Sequence, residues 1–298
     1  MGDELKQLIK KWLLPIMPYG IWKFLQTYSP KGVFRYLKHK GVLAKNITLK
    51  NYAVEQQSRC FILCNGPSVK QQNLLPLKND MVISVASGYL HEQYSAIKPR
   101  FHCVPQITYG VMTEADVVAW FNEMDACLGE AKLIISDTEF ELVQRYQLFK
   151  NREVYYLNMG RTFKECENKM FDLTKMLPGV ASVPIMCLML AMYMGYKKLY
   201  LLGAEHDSFK TKEYHYAFKP SVMHGKDLSV KESGELKGLL YDALKSNTVL
   251  WEQYRAVKKI AISNKVEIYN ATLGGALDEF ERINLEQLFV NFPVLAKS

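Results

Sequence analysis

The clearest binding group in the sequence is the turn Asn65-Gly66-Pro67-Ser68, which follows directly after the apolar run Phe61-Ile62-Leu63. A short apolar run that ends abruptly in such a turn is typical of a buried parallel strand. In open α/β sheets, ligands bind just beyond the carboxyl ends of strands of this kind. A tight turn accounts for Gly66-Pro67, but not for the polar residues on either side. We therefore predict a nucleotide-binding turn formed by Asn65, Gly66, Pro67 and Ser68.

A second group of residues that could take part in catalysis or binding is Glu205-His206-Asp207, which follows the apolar stretch 198–202 and Gly203. Glu205 is suited to bind a ribose hydroxyl or to lie beside an acceptor, and a salt bridge is the structural alternative. The spacing of Glu205 and Asp207 also matches a metal-binding acidic pair, although we expect no metal. We predict that Gly203 contacts a nucleotide and that Glu205 takes part in the chemistry.

The polar stretch 208–247 comes next and contains His215 and His224. Tyr214 and Tyr216 stand on either side of His215. A long polar loop in a compact domain is often a lid or an acceptor-binding element. We expect one of these roles for 208–247, and a surface or structural position is the alternative for each histidine.

Small polar residues also mark the ends of other predicted elements. Gly179-Val180-Ala181-Ser182 opens the apolar segment 183–194, and small residues at a helix start let backbone N–H groups approach a phosphate or a sugar. Ser182 itself either caps this helix or contacts the ligand. Because the carboxyl ends of parallel strands lie along one edge of a sheet, we expect the predicted nucleotide-binding residues to converge there. Besides the turn at 65–68, these residues are Ser87, Ser182, Gly203, Asn270 and Thr272.

Strand patterns alternate with helical patterns along the chain. The predicted strands are 61–63, 80–86, 99–106, 131–136, 153–157, 198–203 and 266–269. The predicted helices are 113–129, 137–148, 183–194 and 248–263, and a polar connection is predicted over 165–177. This alternation predicts an α/β fold of the Rossmann type, with a mostly parallel sheet and helices on both faces. We expect a single domain over 51–298.

All of the excess positive charge lies in the first 50 residues. They contain ten Lys and Arg and two acids, whereas the other 248 residues carry 28 charges of each sign, so the arm alone accounts for the net charge of +8. Apolar residues at helical spacing interleave there with lysines, which suits a helix that lies in a bilayer interface. Packing on the protein's own core, or self-association, is the alternative. We predict a basic amphipathic arm over 1–50 that contacts a membrane surface through 1–40, and no nucleic-acid binding.

Six cysteines are scattered along the chain without a C-x-x-C pair. This pattern argues against a disulfide framework or a zinc site and favours a reducing cytoplasm. The sequence shows no secretory signal pattern and no apolar run of about 18 residues, so we expect neither secretion nor a membrane span.

The order and spacing of these groups resemble the bacterial sialyltransferases of the Campylobacter type and the related surface-polysaccharide and flagellin glycosyltransferases. The resemblance covers roughly residues 58–290. It rests on a strand that ends in Asn-Gly-Pro-Ser, a serine-bearing turn before an apolar helix, and a later strand that ends in glycine with an acid two residues on. The matching residues are Asn65–Ser68, Ser182, Gly195-Tyr196-Lys197, Gly203, Glu205, Tyr216-Ala217-Phe218, Tyr269–Thr272 and Phe280–Ile283.

The resemblance implies a GT-A-like Rossmann fold and an inverting glycosyltransferase that needs no cofactor and no obligatory metal. The donor would be a CMP-activated sugar, typically a sialic-acid-like nonulosonic acid. The acceptor would be a glycan or a lipid-linked glycan of surface polysaccharide such as O-antigen, at the inner face of the bacterial cytoplasmic membrane. Family members use tyrosines to stabilise the leaving phosphate, which assigns that role to Tyr214 and Tyr216, with packing of the loop as the alternative.

The chain departs from this family at three positions. Glu205 stands where the family usually has an aspartate. Just beyond it, the sialyltransferases have a tyrosine where this chain has a residue near Asp207, and their base histidine corresponds to Asn247-Thr248 here. The base is therefore another histidine, or the chemistry differs from that of the family. An ordinary pKa of about 6.5 suits a histidine to this task. His215 is the first candidate because it lies between two tyrosines, His206 is the second and His224 is the third.

Two other functions fit parts of the pattern. A related family with the same opening turn has been assigned as pterin pyrophosphokinases, so a nucleotide-dependent pyrophosphokinase is one alternative. The sequence lacks a Walker-type G-x-x-x-x-G-K-[ST] motif, which argues against it. A non-catalytic scaffold that keeps the fold is the other alternative.

Overall fold

The computed structural model describes residues 24, 27–53, 59–107, 112–163, 169–210, 217–224 and 240–289. The predicted helix-forming segment at the start of the arm lies outside these ranges. His215, Tyr214 and Tyr216 lie outside them as well. No described helix is both long enough and apolar enough to cross a membrane.

The described strands form one large sheet and one small ladder. In chain order they are β1 (Arg59–Leu63), β2 (Met81–Val85), β3 (Phe101–Val104), β4 (Lys132–Ser136), β5 (Val154–Leu157), β6 (Met159–Arg161), β7 (Leu177–Pro178), β8 (Lys198–Leu202), β9 (Glu267–Asn270) and β10 (Glu281–Arg282). The large sheet has the order β10-β9-β8-β1-β2-β3-β4-β5, and β6 pairs with β7. Every pair of neighbours in the large sheet is parallel, which confirms the predicted sheet type.

The described helices cover both faces of this sheet. They are α1 (Pro30–Ala44), α2 (Tyr94–Ile97), α3 (Glu114–Cys127), α4 (Phe140–Arg145), α5 (Val183–Tyr193) and α6 (Leu240–Ser263). Successive residues of a strand point to opposite faces, and β1 shows the consequence. Cys60 and Ile62 pack in the cluster that contains α5 and α6, whereas Phe61 and Leu63 pack in a cluster on the other face. The predicted layered α/β fold is confirmed.

Helix α5 is the centre of the core on its face of the sheet. Its residues Pro184–Tyr193 are all buried, because the helix is apolar all round rather than on one stripe. The methionines in this helix are part of that core. A helix covered on every side holds its first turn in a fixed position, and that turn faces the carboxyl edge of the sheet through Ser182.

The second half of the predicted arm is part of the folded domain. The Arg35 Nε donates to the Asp137 Oδ1 at 3.1 Å, and the Asp137 side chain is fully buried. Asn46 is also fully buried, and its Nδ2 donates to the carbonyls of Tyr156 and Leu173, both at 2.7 Å. Residues in and just after α1 therefore bind buried groups of the domain. Composition alone does not distinguish such residues from those of an exposed arm.

Two predicted loops contain regular or buried structure. Within the predicted polar connection 165–177, Phe171 and Leu173 are buried in the main core. Within the predicted loop 208–247, residues 240–247 form the first two turns of α6. Leu240, Tyr241 and Leu244 are exposed there, so these turns have no buried face. Leu240, Ala243 and Leu244 do have the i, i+3, i+4 spacing of a helix, so the sequence contains a helical signal before residue 248.

His102 on β3 allows a test of the electrostatics of the core. The residue is fully buried, and its Nδ1 lies 2.7 Å from the Ser84 Oγ. Burial lowers the pKa of His102 to about 3, while a backbone contact at Ala86 opposes this effect. The unfolded chain takes up this proton near pH 6.5. The unfolded state therefore binds more protons below about pH 6.5, and stability is lost as the pH falls.

We expect the wild type to lose about 2–3 kcal/mol more unfolding free energy than His102→Gln between about pH 6.5 and 4.5. The glutamine keeps a polar side chain at the site but does not titrate. Urea denaturation of both proteins at the two pH values measures the difference. Parallel losses in the two proteins would contradict the assignment.

Candidate functional site

A cleft of about 700 Å³ opens at the carboxyl edge of the sheet, beside the ends of β1 and β8. The strand order reverses there, because β2 to β5 extend to one side of β1 and β8 to β10 to the other. In open α/β sheets, ligands bind in the crevice at such a reversal. The volume lies within the range of about 300–1,000 Å³ that is typical of small-molecule sites. The sequence-predicted residues that line this cleft are Asn65, Gly66, Pro67, Ser87, Ser182, Gly203, Glu205 and His206.

Glu205 connects the two central strand ends. The backbone N–H of Ser68 donates to its Oε1 at 2.7 Å, and its backbone carbonyl accepts from the N–H of Ala276 at 2.7 Å. The residue is buried, and its Oε2 has no hydrogen-bond partner among the described residues. Glu205 thus holds the Asn-Gly-Pro-Ser turn against the end of β8, and its second carboxylate oxygen is buried against Gly66.

Gly66 makes this contact possible because it has no side chain. A Cβ at this position would lie 1.5 Å from the Glu205 Oε2 and 2.5 Å from the Gly203 carbonyl oxygen. Gly203 itself has a φ of 65°, in the left-handed region that favours glycine. The two glycines therefore let the ends of β1 and β8 approach each other at the floor of the cleft.

His206 lies in the wall of the cleft with a left-handed backbone, φ 51°. Its Nε2 is 2.7 Å from the hydroxyl of Tyr254, a fully buried residue of α6. Burial lowers the pKa of His206 to about 4, although the nearby Asp207 opposes the shift. The imidazole is therefore neutral at physiological pH, but it is a weaker base than an ordinary histidine.

Asn65 uses its polar groups to hold a neighbouring segment. Its Nδ2 donates to the Phe218 carbonyl at 2.9 Å, and its Oδ1 accepts from the Phe218 N–H at 3.2 Å. The backbone carbonyl of Asn65 also accepts from the N–H of Ala217 at 2.9 Å. The asparagine in the turn therefore has a structural partner that the sequence did not indicate, in addition to its place at the cleft.

Three predicted nucleotide-binding residues are not among the residues that line the cleft: Ser68, Asn270 and Thr272. Asn270 is fully buried, and its Nδ2 donates to the Leu277 carbonyl at 2.9 Å. The Thr272 Oγ1 accepts from the N–H of Ala204 at 3.0 Å. Both side chains brace the loops behind the cleft. A polar residue at a strand end can therefore stabilise neighbouring loops instead of binding a ligand.

Ser182 is the N-cap residue of α5, but its side chain accepts no capping hydrogen bond. The Ser182 hydroxyl is therefore not used for capping, which was one of the two roles predicted for it. The residue lines the cleft together with Gly179 and Ala181, so the first turn of α5 faces the ligand space. A helix start favours a phosphate or another anion. Here Pro184 has no N–H and the Ala181 N–H donates to the Gln253 Oε1, which reduces the number of backbone donors available to a ligand.

Several residues of the cleft were not predicted from the sequence. Trp120 and Met112 form an apolar wall, and Gln106 follows β3 at the same edge as the predicted strand ends. The strand-end rule that selected Ser87 would also have selected Gln106. Lys219 lines the cleft as well, and no signal in the sequence distinguishes it from other lysines of the polar stretch.

No group of three His, Cys, Asp or Glu side chains is placed to hold a metal ion within the described ranges. The two acids at the end of β8 have other partners: Glu205 accepts from Ser68, and the Asp207 Oδ2 lies 3.4 Å from the Lys210 Nζ. The five described cysteines are all free thiols.

No protein-family model matches the chain, and no curated protein sequence is significantly similar to it. Among solved structures, the Maf glycosyltransferase from Magnetospirillum magneticum AMB-1 is similar to it at 15% identity and a TM-score of 0.48, over 79% of this chain and 35% of that one. The sialyltransferase CstII from Campylobacter jejuni, solved with cytidine-5'-monophosphate, is similar at 14% identity and a TM-score of 0.43, over 76% of this chain and 84% of that one. A structure of sialyltransferase CST-II with a trisaccharide acceptor and CMP is similar at 16% identity and a TM-score of 0.43, over 76% and 85% of the two chains.

Proposed function

We propose that the protein is a glycosyltransferase that moves a sugar from a nucleotide-sugar donor to a glycan or lipid-linked acceptor. The cleft at the strand-order reversal supports this function most directly, because it combines a glycine turn and a helix start at the carboxyl edge of the sheet. Its size suits a nucleotide with an attached sugar. The finer proposal, which follows the family resemblance, is a CMP-linked nonulosonic acid, transferred with inversion and without a metal.

The residues at the cleft suggest a division of roles. The start of α5 at Ser182 faces the space where a phosphate is favoured. Glu205 holds the turn at the floor of the cleft, because its Oε1 accepts from the N–H of Ser68. Trp120 and Met112 offer an apolar surface for a base or a sugar ring. A histidine base then takes the proton of the acceptor hydroxyl.

A thermal-shift panel of CMP-, UDP- and GDP-sugars tests the donor class. A ligand at about 100 times its Kd stabilises the folded state by about 2.7 kcal/mol. We expect a CMP-sugar to raise Tm by several degrees and the other two classes to have little effect. CMP release on incubation with a lipid-linked acceptor then tests transfer. A protein that binds none of the three classes, or that instead consumes ATP with strict Mg²⁺ dependence, would overturn the proposal.

We further propose that α1 and the turn after it lie on the inner face of the bacterial cytoplasmic membrane. Phe34, Leu37 and Ile47 are 69%, 66% and 56% exposed, although they are large apolar side chains. Lys31 and Lys40 of the same helix are exposed. Apolar and basic side chains together favour an interface with anionic lipid, where each basic residue contributes about 1 kcal/mol. In this location the cleft would be close to lipid-linked acceptors.

We expect Phe34→Glu/Leu37→Glu to lose at least about tenfold in binding to phosphatidylglycerol vesicles, because it adds two charges to the apolar face. Vesicle sedimentation measures the binding. Leu240→Glu/Leu244→Glu is the matched control, since it adds the same two charges at leucines that are 60% and 47% exposed on another helix. Equal binding by the α1 variant and the control, with both proteins folded, would contradict a membrane role for α1.

A further inference from the structure

We propose that Lys219 binds the phosphate of the nucleotide, and that Asn65 and Glu123 hold the backbone on either side of it in place. This inference rests on the proposed nucleotide-sugar function and adds a residue to it. The segment concerned is 217–224, which borders the cleft through Phe218, Lys219 and Pro220. Neither Lys219 nor Glu123 was selected by the sequence pattern.

The first anchor of this segment is Asn65. Its side-chain amide makes hydrogen bonds with both the N–H and the carbonyl of Phe218, and its own carbonyl accepts from Ala217. The Phe218 ring packs between two further side chains, with the His91 ring 5.5 Å away and the Lys70 Nζ at 5.1 Å. The backbone just before Lys219 is therefore held directly to the turn at the end of β1.

The second anchor is Glu123 of α3. Its Oε2 accepts from the backbone N–H of Ser221 at 2.9 Å and also from the Ser221 hydroxyl. Its Oε1 accepts from the Tyr89 hydroxyl at 2.8 Å. A carboxylate that receives donors on both oxygens is held in one orientation. The backbone two residues after Lys219 is thus held to α3, the helix that contributes Trp120 to the cleft.

The charge pattern of the cleft gives this lysine its function. Among the described residues that line the cleft, Lys219 is the one that carries a positive charge as Lys or Arg. The two acids there already have partners in Ser68 and Lys210. Lys219 is exposed, and within the described part of the chain no carboxylate forms an ion pair with it. A lysine ammonium is a compact charge that suits a phosphate.

The transfer reaction requires such a charge. As the acceptor oxygen bonds to the anomeric carbon, the bond from that carbon to the phosphate oxygen breaks. The electron pair of the broken bond stays on the phosphate, and the proton of the acceptor goes to the base. The leaving nucleotide therefore gains one negative charge during the step, and a cation held nearby stabilises it.

Titration calorimetry with CMP and with cytidine, which lacks the phosphate, tests the assignment. We expect Lys219→Met to bind CMP about 10- to 100-fold more weakly than wild type and cytidine within about twofold, because only the charged contact is removed. Lys219→Arg keeps the charge and should recover most of the CMP affinity. Lys78→Met is the control, since it removes the charge of an exposed lysine that does not line the cleft.

Glu123→Ala tests the second anchor. We expect it to weaken CMP but not cytidine, and we expect the double variant with Lys219→Met to bind CMP no more weakly than Lys219→Met alone. Additive losses would overturn the positioning role of Glu123. If wild type binds CMP and Lys219→Met binds it equally well, the lysine assignment is overturned while the proposed function stands. If wild type binds neither CMP nor any CMP-, UDP- or GDP-sugar, both are overturned.

Discussion

Gly66→Ala is expected to destabilise the protein by about 3 kcal/mol and to abolish nucleotide binding. The new Cβ would stand 1.5 Å from the Glu205 Oε2 and 2.5 Å from the Gly203 carbonyl oxygen. The carboxylate cannot move without losing its hydrogen bond from Ser68. The backbone of Gly203 is fixed by the pairing of β8 with β1. Urea denaturation and thermal shift with nucleotide measure the two effects.

Gly88→Ala is the matched control for this substitution. Gly88 follows the neighbouring strand β2, but a Cβ there would meet nothing closer than the Leu63 carbonyl oxygen at 3.8 Å. Its stability should change by less than about 1 kcal/mol. Similar losses of stability in the two variants would mean that the loss at Gly66 does not come from its contact with Glu205. The double variant Gly66→Ala/Glu205→Ala removes the clash with the carboxylate and should recover part of the lost stability. The recovery should be incomplete because the clash with Gly203 remains.

His215→Ala is expected to lower kcat about 10²- to 10⁴-fold, the usual contribution of a general base. His206→Gln should lose less than about tenfold. Burial lowers the pKa of His206 to about 4, and its Nε2 is engaged with the Tyr254 hydroxyl, so His206 is a weak base. A histidine with a pKa near the working pH is the better base.

The pH dependence of kcat/KM distinguishes the two histidines. A base is inactivated when it is protonated, so activity should fall below about pH 6.5 in wild type and in His206→Gln alike. If His206 were the base, activity would persist down to about pH 4–5, and that acidic limb would change in His206→Gln. Circular dichroism at each pH is the control, because protonation of His102 and His206 at acid pH also destabilises the folded protein.

Local patterns in the sequence predicted the sheet well. Apolar runs that end in Gly, Asn or Ser marked β1, β2 and β8 to within a few residues, because a strand buried on both faces needs continuous apolar side chains. The half-buried edge of the sheet at β9 was marked by the same signal. The same reasoning predicted that their ends converge, and the parallel pairing brings them to one edge. It failed where burial is local, as for Phe171 and Leu173, which are isolated apolar residues within a polar stretch.

The site was predicted only in part, because a polar side chain at a strand end has two kinds of partner. Gly66, Ser87 and Glu205 lie at the cleft, as the strand-end rule indicates, and Ser182 lies there at a helix start. Asn270 and Thr272 satisfy the same rule, yet their hydrogen bonds go to Leu277 and Ala204. Which partner a side chain finds depends on residues distant in sequence, so spacing along the chain does not decide it.

The sequence by itself determined the α/β class, the parallel sheet and the edge at which the cleft lies, because these follow from short-range periodicity and from the chemistry of strand ends. The tertiary structure alone decided how the Asn-Gly-Pro-Ser turn is used. Gly66 is required by a carboxylate 139 positions later, and Asn65 holds a backbone segment 153 positions later. It also placed Lys219 at the cleft between anchors from β1 and α3. Contacts across such separations depend on how the helices and strands pack together, and no local pattern encodes them.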